Sequence, residues 1–199
     1  MKPFFVTDTE RRGSRARLRE IVREQSLAFG NFTLASGATS HFYIDLRRTT
    51  THPEGAYLVA TLLLDRLRDD WPDAAGGPTI GADPIAGALA TMSHLHGNPL
   101  PTFIVRSATK DHGTQKRVEG HLKTGDRVIL LDDVITRGGS LVQAIRAVRE
   151  LGAEVQKVMT ILNRNAGGDE VIANEGLTID SIFELHDIVT VKEQEGAHA

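Results

Sequence analysis

The feature that most constrains the fold is a strand–helix–strand pattern in the second half of the chain. The segment RVILLDD (127–133) is an apolar run that ends on two aspartates, and such runs are typical of parallel strands covered on both faces. A helix is predicted next and ends at Gly152; its apolar face is formed by Leu141, Ile145, Val148 and Leu151. The segment EVQKVMTILNR (154–164) is the following strand. A strand, a helix and a second strand in this order form a βαβ unit, whose parallel strands are joined by a right-handed crossover. We therefore predict an α/β fold with a mostly parallel, twisted sheet flanked by helices.

The first half of the chain predicts further elements of the same fold. Helices are predicted at residues 11–27, 53–67 and 84–95, and strands within 76–83 and at 101–106. The segment FTLASGATSHFYIDLRR (32–48) mixes strand formers with a Ser-Gly turn and predicts a hairpin-like cover. After the strand at 101–106, a polar stretch with little periodicity runs to Lys123. Since no internal repeat, low-complexity tract or linker divides the chain, residues 1–199 are predicted to form one domain.

Composition narrows the class of protein. The chain has 199 residues, a net charge of -3 and no cysteine. That charge gives no reason to expect a nucleic-acid or anionic-membrane partner, and the lack of cysteine excludes disulfides, thiolate metal sites and cysteine nucleophiles. The N-terminal residues lack the apolar stretch of a signal peptide, and no apolar run is long enough to span a membrane. We therefore expect a soluble, cytoplasmic protein.

Two aspartates and a small-residue loop mark the candidate site. Ligands of parallel sheets bind beyond the carboxyl ends of the strands, which is where Asp132 and Asp133 are predicted to lie. The loop TRGGS (136–140) follows, and its backbone N–H groups, with the N-terminus of the next helix, suit a phosphate. The aspartates would repel that phosphate, so we expect them to face sugar hydroxyls or the hydration shell of Mg²⁺. The predicted ligand is a sugar phosphate that carries a metal-bound group.

The complete segment VILLDDVITRGGS (128–140) lacks the spacing of a Walker A or Gly-x-Gly-x-x-Gly loop. Its order of apolar run, Asp-Asp, two apolar residues, Thr and Gly-Gly-Ser resembles the phosphoribosyl pyrophosphate (PRPP) motif of type I phosphoribosyltransferases. That resemblance implies the type I phosphoribosyltransferase fold with a small N-terminal hood, formed by about residues 1–50.

Other segments resemble the orotate phosphoribosyltransferases in particular. Residues 32–48 are similar to the segment that covers the orotate base in that family, and GADPIAGAL (81–89) to its second substrate-facing turn. The segment VRSATKDHGTQKRVEG (105–120) resembles its mobile catalytic loop, and LNR, ending at Arg164, matches its orotate-binding arginine. The resemblance runs in chain order from about residue 25 to 185.

The resemblance implies transfer of ribose 5-phosphate from PRPP to orotate, which gives orotidine 5′-phosphate and pyrophosphate. Catalytic roles are expected for Lys110, His112, Asp132 and Asp133. PRPP is expected to contact these four and also Arg106, Val134, Ile135, Thr136, Arg137, Gly138, Gly139 and Ser140. Orotate is expected to contact Ser36, Gly37, Tyr43, Thr136 and Arg164. The expected cofactor is Mg²⁺, held mainly by PRPP and not by direct protein ligands.

In the family the catalytic loop reaches into the neighbouring subunit, which implies a homodimer that shares residues 107–120 between its two sites. The residues alone leave simpler readings open. The lysines around 110–123 suit a solvated basic loop, His112 suits a surface histidine, and Arg164 suits an ion pair with Asp169 or Glu170. Two other functions also stay open: a phosphoribosyltransferase for a purine or xanthine base, and a non-catalytic PRPP-sensing regulator that binds nucleic acid.

The chain departs from the common family pattern at four positions. Ala35 and Ser107 stand where many members have lysine, Asn163 where aspartate is frequent, and Arg137 where a small residue is usual. Two missing cations near a pyrophosphate are expected to weaken PRPP binding or slow catalysis. Arg137 either compensates for them or points to solvent.

Overall fold

The computed structural model describes residues 6–33, 37, 39–107, 117–190 and 193. The strands are β1 (Leu27–Thr33), β2 (Thr39–Ile44), β3 (Ala74–Pro78), β4 (Thr102–Val105), β5 (Val118–Gly120), β6 (Arg127–Ile135), β7 (Glu154–Asn163) and β8 (Ile179–Glu184). The helices are α1 (Asp8–Ile21), α2 (Arg47–Thr50), α3 (Pro53–Leu67), α4 (Ala82–Leu95), α5 (Gly139–Glu150), α6 (Gly168–Ala173) and α7 (Leu185–Ile188). A π-helical turn, Val22–Ser26, follows α1.

Six strands form the central sheet in the order β5-β4-β3-β6-β7-β8. All neighbouring pairs are parallel except β4 with β5. β1 and β2 form a separate antiparallel hairpin. The α/β class with a mostly parallel, helix-flanked sheet is therefore confirmed, as is the predicted hairpin.

The central strand β6 is apolar from Val128 to Leu131 because it is covered on both faces. Ile129 and Leu131 pack into one hydrophobic cluster, which includes side chains of α1, α3 and α4. Val128 and Leu130 point the other way, into a cluster with α5 and α6. Successive strand residues face opposite sides of a sheet, and full burial of each such side chain stabilises the fold by roughly 1.5–3 kcal/mol. This double cover holds the end of β6 in place for the site that follows it.

Local sequence signals explain where the longer helices begin. Thr7 and Glu10 form a capping box at the start of α1, which satisfies otherwise unpaired N–H groups. In α3, Pro53 occupies the first turn and His52 accepts a hydrogen bond from the N–H of Gly55. Proline suits that position because it has no N–H to leave unpaired. α3 matches its predicted range of 53–67.

The structure differs from the sequence-based prediction in three places. The first predicted helix, 11–27, is wrong at its C-terminal end, since α1 ends at Ile21 and a π-helical turn leads into β1. The polar stretch before Lys123 contains β5, which pairs with β4. Beyond residue 164, where no element was predicted, the chain forms α6, β8 and α7. Short elements carry too little periodicity to be recognised.

In the part of the chain that the structure describes, no helix is both long and apolar enough to cross a membrane.

Candidate active site

The paired aspartates lie near the C-terminal end of β6 and are each 8% exposed. Oδ1 of Asp132 accepts a hydrogen bond from the N–H of Asp133 (3.0 Å), and Oδ1 of Asp133 accepts one from the N–H of Val134 (2.8 Å). The Ser140 hydroxyl lies 3.5 Å from Oδ2 of Asp132. The strand backbone and the start of α5 therefore hold both carboxyl groups at the carboxyl edge of the sheet.

Both carboxyl groups favour the protonated form more than usual. Burial, together with the negative charge of the neighbouring Asp133, raises the pKa of Asp132 to about 8. Burial also raises the pKa of Asp133, while the N–H of Val134 and the positive charge of Arg47 oppose that rise. Two buried carboxylates side by side are unfavourable without a partner, so the pair is suited to a ligand that brings hydroxyl donors or positive charge.

A cavity of about 290 Å³ opens directly onto the pair. Its walls come from the segment around β2, from the turn after β3 and from the end of β6. The polar or small lining residues are Tyr43, Asp45, Arg47, Thr79, Gly81, Asp132, Asp133 and Ser140. The volume is at the small end of the range for ligand pockets, and the carboxyl edge of the strands is where such sheets bind ligands.

The loop after β6 turns sharply into the N-terminus of α5. Gly138 is left-handed (φ 72°) and precedes the first residue of α5. A side chain there would strain the backbone, so glycine lets the chain turn sharply from strand to helix. Ser140 lies in the first turn and lines the cavity. The N-terminus of α5, which carries partial positive charge, thus lies beside the carboxylate pair.

The other predicted residues of this loop have different surroundings. Arg137 is exposed, and the backbone carbonyl of Thr136 accepts a hydrogen bond from the N–H of Gly168 (3.0 Å). Ile135 is 1% exposed in the hydrophobic core, so only its backbone is available to a ligand. Val134 lines the cavity and is half-buried.

Arg164 follows β7 and does not form the ion pair that the simpler reading expected. Its guanidinium carbon lies 5.4 Å from the ring centre of Phe42, and its Nε is buried without a hydrogen-bond partner among the described residues. Burial lowers the pKa of Arg164. Asp169 instead accepts a hydrogen bond from Asn163. The predicted base-binding arginine is thus not among the residues that line the 290 Å³ cavity and packs against the hairpin through Phe42.

The hairpin contributes the predicted aromatic residue. Tyr43 is 45% exposed and lines the cavity, and its ring lies 5.6 Å from that of Phe32. Gly37 is exposed with φ 83°. Ser36 lies outside the described residues. The structure thus places one side of a flat aromatic ring at the mouth of the cavity.

The predicted catalytic loop is only partly described. Lys110 and His112 lie outside the described residues. Arg106, at the base of the loop, pairs with Glu119 at 2.9 Å. A smaller cavity of about 40 Å³ joins Arg106, Ser107 and Arg117 to Ser140, so the ends of the loop lie against the first turn of α5.

The cavity lining also includes residues that were not predicted as site residues, among them Asp45, Arg47, Thr79 and Ile80. Arg47 donates hydrogen bonds to both carboxylate oxygens of Asp45, at 2.7 and 3.0 Å. The presence of Thr79 in the site was predictable, because the turn after a parallel strand lies at the edge of the sheet where ligands bind. Arg47 has no such signal, since the packing of the hairpin places it there.

Within residues 6–33, 37, 39–107, 117–190 and 193, no three histidine, aspartate or glutamate side chains are grouped as a metal site. The carboxylates of Asp132 and Asp133 are nevertheless hard oxygen donors of the kind that Mg²⁺ prefers. Burial raises the pKa of both carboxyl groups, and a cation close to them would favour their charged forms.

Comparison with known proteins agrees with this geometry. Residues 48–194 match the phosphoribosyl transferase domain family. The orotate phosphoribosyltransferase of Aquifex aeolicus (strain VF5) is 40% identical over 178 residues, which cover 88% of this chain and 97% of that protein. The crystal structure of Mycobacterium tuberculosis H37Rv orotate phosphoribosyltransferase with Fe(III) dicitrate has a TM-score of 0.78 and 40% identity, covering 88% of this chain and 98% of that one. A structure of the same enzyme with PRPP has a TM-score of 0.74 and 38% identity, with the same coverage.

Proposed function

This chain belongs to the orotate phosphoribosyltransferase family, and we propose that it transfers ribose 5-phosphate from PRPP to N1 of orotate. The products are orotidine 5′-phosphate and pyrophosphate, a step of pyrimidine nucleotide (UMP) synthesis. The observation that carries the proposal is the buried pair of Asp132 and Asp133 beside the N-terminus of α5, in one cavity. The PRPP complex of a 38% identical relative supports the same ligand here.

The two halves of the cavity suit the two ends of the ribose phosphate. The 5′-phosphate is bound by residues 136–140, where backbone N–H groups and the positive end of α5 meet. Asp132 and Asp133 accept hydrogen bonds from the ribose hydroxyls. As the bond to pyrophosphate breaks, the anomeric carbon gains positive charge, and the nearby carboxylates stabilise it electrostatically.

The base is held between the hairpin and the end of β7. The exposed ring of Tyr43 offers a flat surface, with Ser36, Gly37 and Thr136 as polar contacts. Arg164 pairs with the carboxylate of orotate. This guanidinium has no carboxylate partner among the described residues, and a planar fork is suited to a carboxylate.

The leaving pyrophosphate needs positive charge. Lys110 and His112, with Arg106 at the base of the loop, supply it where negative charge develops. Mg²⁺, bound mainly by PRPP, supplies further charge neutralisation when present, and Asp132 and Asp133 are the protein groups that would face its hydration shell. Closure of residues 107–120 excludes water from the reaction.

The proposed assembly is a homodimer in which residues 107–120 complete the neighbouring site, and the proposed location is the cytoplasm. One domain, with a base-covering hood from about residues 1–50, carries the whole reaction. Nucleic acid and membrane have no part in it.

The test is an assay with orotate and PRPP, with and without Mg²⁺. Orotidine 5′-phosphate and pyrophosphate are expected in equal amounts, and only when Mg²⁺ is present. A parallel panel of adenine, guanine, hypoxanthine and xanthine is expected to give no product. Turnover of a purine but not of orotate would overturn the proposed substrate. No turnover with any base, together with PRPP-dependent nucleic-acid binding, would favour a regulator.

A further inference from the structure

Asn163, the last residue of β7, binds both ends of the turn that contains Arg164. Its side chain is buried, with only 3% of its surface exposed. Nδ2 donates a hydrogen bond to Oδ1 of Asp169 (2.9 Å), and Oδ1 accepts one from the N–H of Asn165 (3.0 Å). Asn165 has a left-handed backbone (φ 52°), so the turn is tight. An amide can make both bonds at once because it carries a donor and an acceptor.

The hydrogen-bond partner of Asp169 is the amide of Asn163 and not Arg164. Arg164 and Asp169 lie on either side of one short turn, and a guanidinium and a carboxylate pair strongly when they come within reach. Here the amide of Asn163 takes the Asp169 oxygen, while Arg164 lies over Phe42 with Nε lacking any hydrogen-bond partner among the described residues. The guanidinium thus has no ion-pair partner among the described residues.

The turn does not depend on Asn163 for its attachment. The N–H of Arg164 donates to the carbonyl of Ile135 (2.9 Å), and the N–H of Gly168 donates to that of Thr136 (3.0 Å). These backbone bonds tie both ends of the turn to the end of β6. Loss of the Asn163 side chain therefore leaves the turn in place and mainly releases Asp169.

We propose that Asn163 is a positioning residue that sets affinity for the anionic base, because it occupies Asp169 and keeps that carboxylate from pairing with Arg164. This inference rests on the proposed function, in which Arg164 binds the orotate carboxylate.

The experiment measures kcat and the KM for orotate and for PRPP in Asn163→Ala, Asp169→Asn and the double variant. Asn163→Ala is expected to raise the orotate KM about tenfold, the cost of one charged hydrogen bond, while kcat and the PRPP KM change less than about twofold. In the double variant the competing carboxylate is gone, and the orotate KM is expected to return near the wild-type value. Asp169→Asn alone is expected to resemble the wild type.

The matched control is Glu170→Gln in the Asn163→Ala background. Glu170 lies with Asp169 in the first turn of α6, so the change removes a similar charge from the same helix end and is expected to give no rescue. Asn163→Ser, which keeps an oxygen for the Asn165 N–H but is too short to reach Asp169, guards against misfolding of the alanine variant. Both are expected to retain the raised KM.

Each outcome decides between the two claims. Turnover of orotate by the wild type supports the proposed function, and its absence would overturn both. If the wild type is active but Asn163→Ala and Asn163→Ser keep its orotate KM, the inference fails alone. It also fails if Asp169→Asn rescues no better than Glu170→Gln, because Asn163 would then only stiffen the turn.

Discussion

A Cβ atom added at Gly81 would lie 2.5 Å from Oδ1 of Asp133 and 2.6 Å from Oδ1 of Asp132. The turn after β3 therefore passes directly over the carboxylate pair, with room for a hydrogen atom only. Non-bonded contacts of this length are strongly repulsive, and both carboxyl groups are held by backbone N–H groups of their own strand. Position 81 couples the shape of the turn to the position of both acids.

Gly81→Ala is expected to displace the two carboxyl groups and to weaken PRPP binding by at least about tenfold, the loss of one good charged hydrogen bond. Isothermal titration calorimetry with PRPP and Mg²⁺ measures the change in PRPP affinity. The control is Gly87→Ala in α4, where an added Cβ meets nothing within 4 Å. That change is expected to keep PRPP affinity and to stabilise the helix by about 0.5–1 kcal/mol. Equal affinity for both variants would contradict the close contact.

Asp132→Asn is expected to stabilise the ligand-free protein at alkaline pH. The pKa of Asp132 is raised in the folded state above its unfolded value, so the folded protein binds the extra proton and loses stability as pH rises between those two values. The amide removes this loss, and the free energy of unfolding at pH 8 is expected to rise by about 2 kcal/mol. Denaturant unfolding curves measured from about pH 5 to about pH 9, a range that brackets the folded-state pKa of Asp132, give the difference in stability.

Asp45→Asn is the control for that pH dependence, because its shift has the opposite sign. The hydrogen bond from Arg47 lowers the pKa of Asp45, so its contribution is present above its unfolded pKa and is lost as pH falls below it. The variant is expected to lose at most about 1 kcal/mol, the usual scale for an accessible ion pair. If Asp132→Asn were less stable than the wild type at pH 8, burial of the two neighbouring carboxylates would not be unfavourable for the folded protein.

Asp132→Asn combined with Asp133→Asn is expected to abolish useful PRPP affinity without unfolding the domain. Two charged hydrogen bonds to the ribose are lost, which corresponds to at least about a hundredfold in the dissociation constant. Calorimetry with PRPP and Mg²⁺ measures the affinity, and circular dichroism verifies the fold. A double variant that binds PRPP like the wild type would remove the aspartates from the proposed site.

The strand–helix–strand unit from β6 to β7 was predictable because its signals are local. The apolar run before Asp132 required a strand covered on both faces, and the glycines that follow it required a sharp turn into α5. Both lie where the sequence placed them. The same holds for Tyr43, since the Ser-Gly turn between two strand-forming segments predicted the hairpin that exposes it.

The remaining parts of the site depend on contacts between distant segments. Arg47 lies in the cavity only because Phe42 and Ile44 of the hairpin are buried in the main core. The bond between Asn163 and Asp169 spans a turn that contains the left-handed residue Asn165. An ion pair from Arg164 to Asp169 or Glu170 was an alternative that the sequence left open. No local pattern distinguishes an arginine that is paired from one that is left for a ligand.

Lys110→Ala and His112→Ala are expected to lower kcat much more than they weaken orotate binding. Both residues are proposed to supply positive charge as pyrophosphate leaves, so their effect belongs to the transition state, and a hundredfold loss in kcat is roughly the scale for removing one such donor. Steady-state kinetics, with orotate affinity measured separately, distinguishes the two effects. Lys123→Ala, a basic residue beyond the loop and exposed to solvent, is the control and is expected to keep the wild-type kcat. Wild-type kcat in both loop variants would contradict the assignment.

Ser107→Lys is expected to tighten PRPP binding about threefold. Ser107 lines a small cavity together with Ser140, which belongs to the proposed phosphate-binding loop 136–140. A lysine at position 107 would therefore add a cation near the pyrophosphate, where the chain now has a neutral side chain. A single exposed charge contributes at most about 1 kcal/mol, which sets the modest size of the effect, and salt should weaken it because the Debye length is about 10 Å at 0.1 M. The KM for PRPP is measured at low and high KCl, with Ser107→Gln as the neutral control of similar length. If the lysine and glutamine variants had the same KM at low salt, the missing cation at position 107 would have no bearing on PRPP binding.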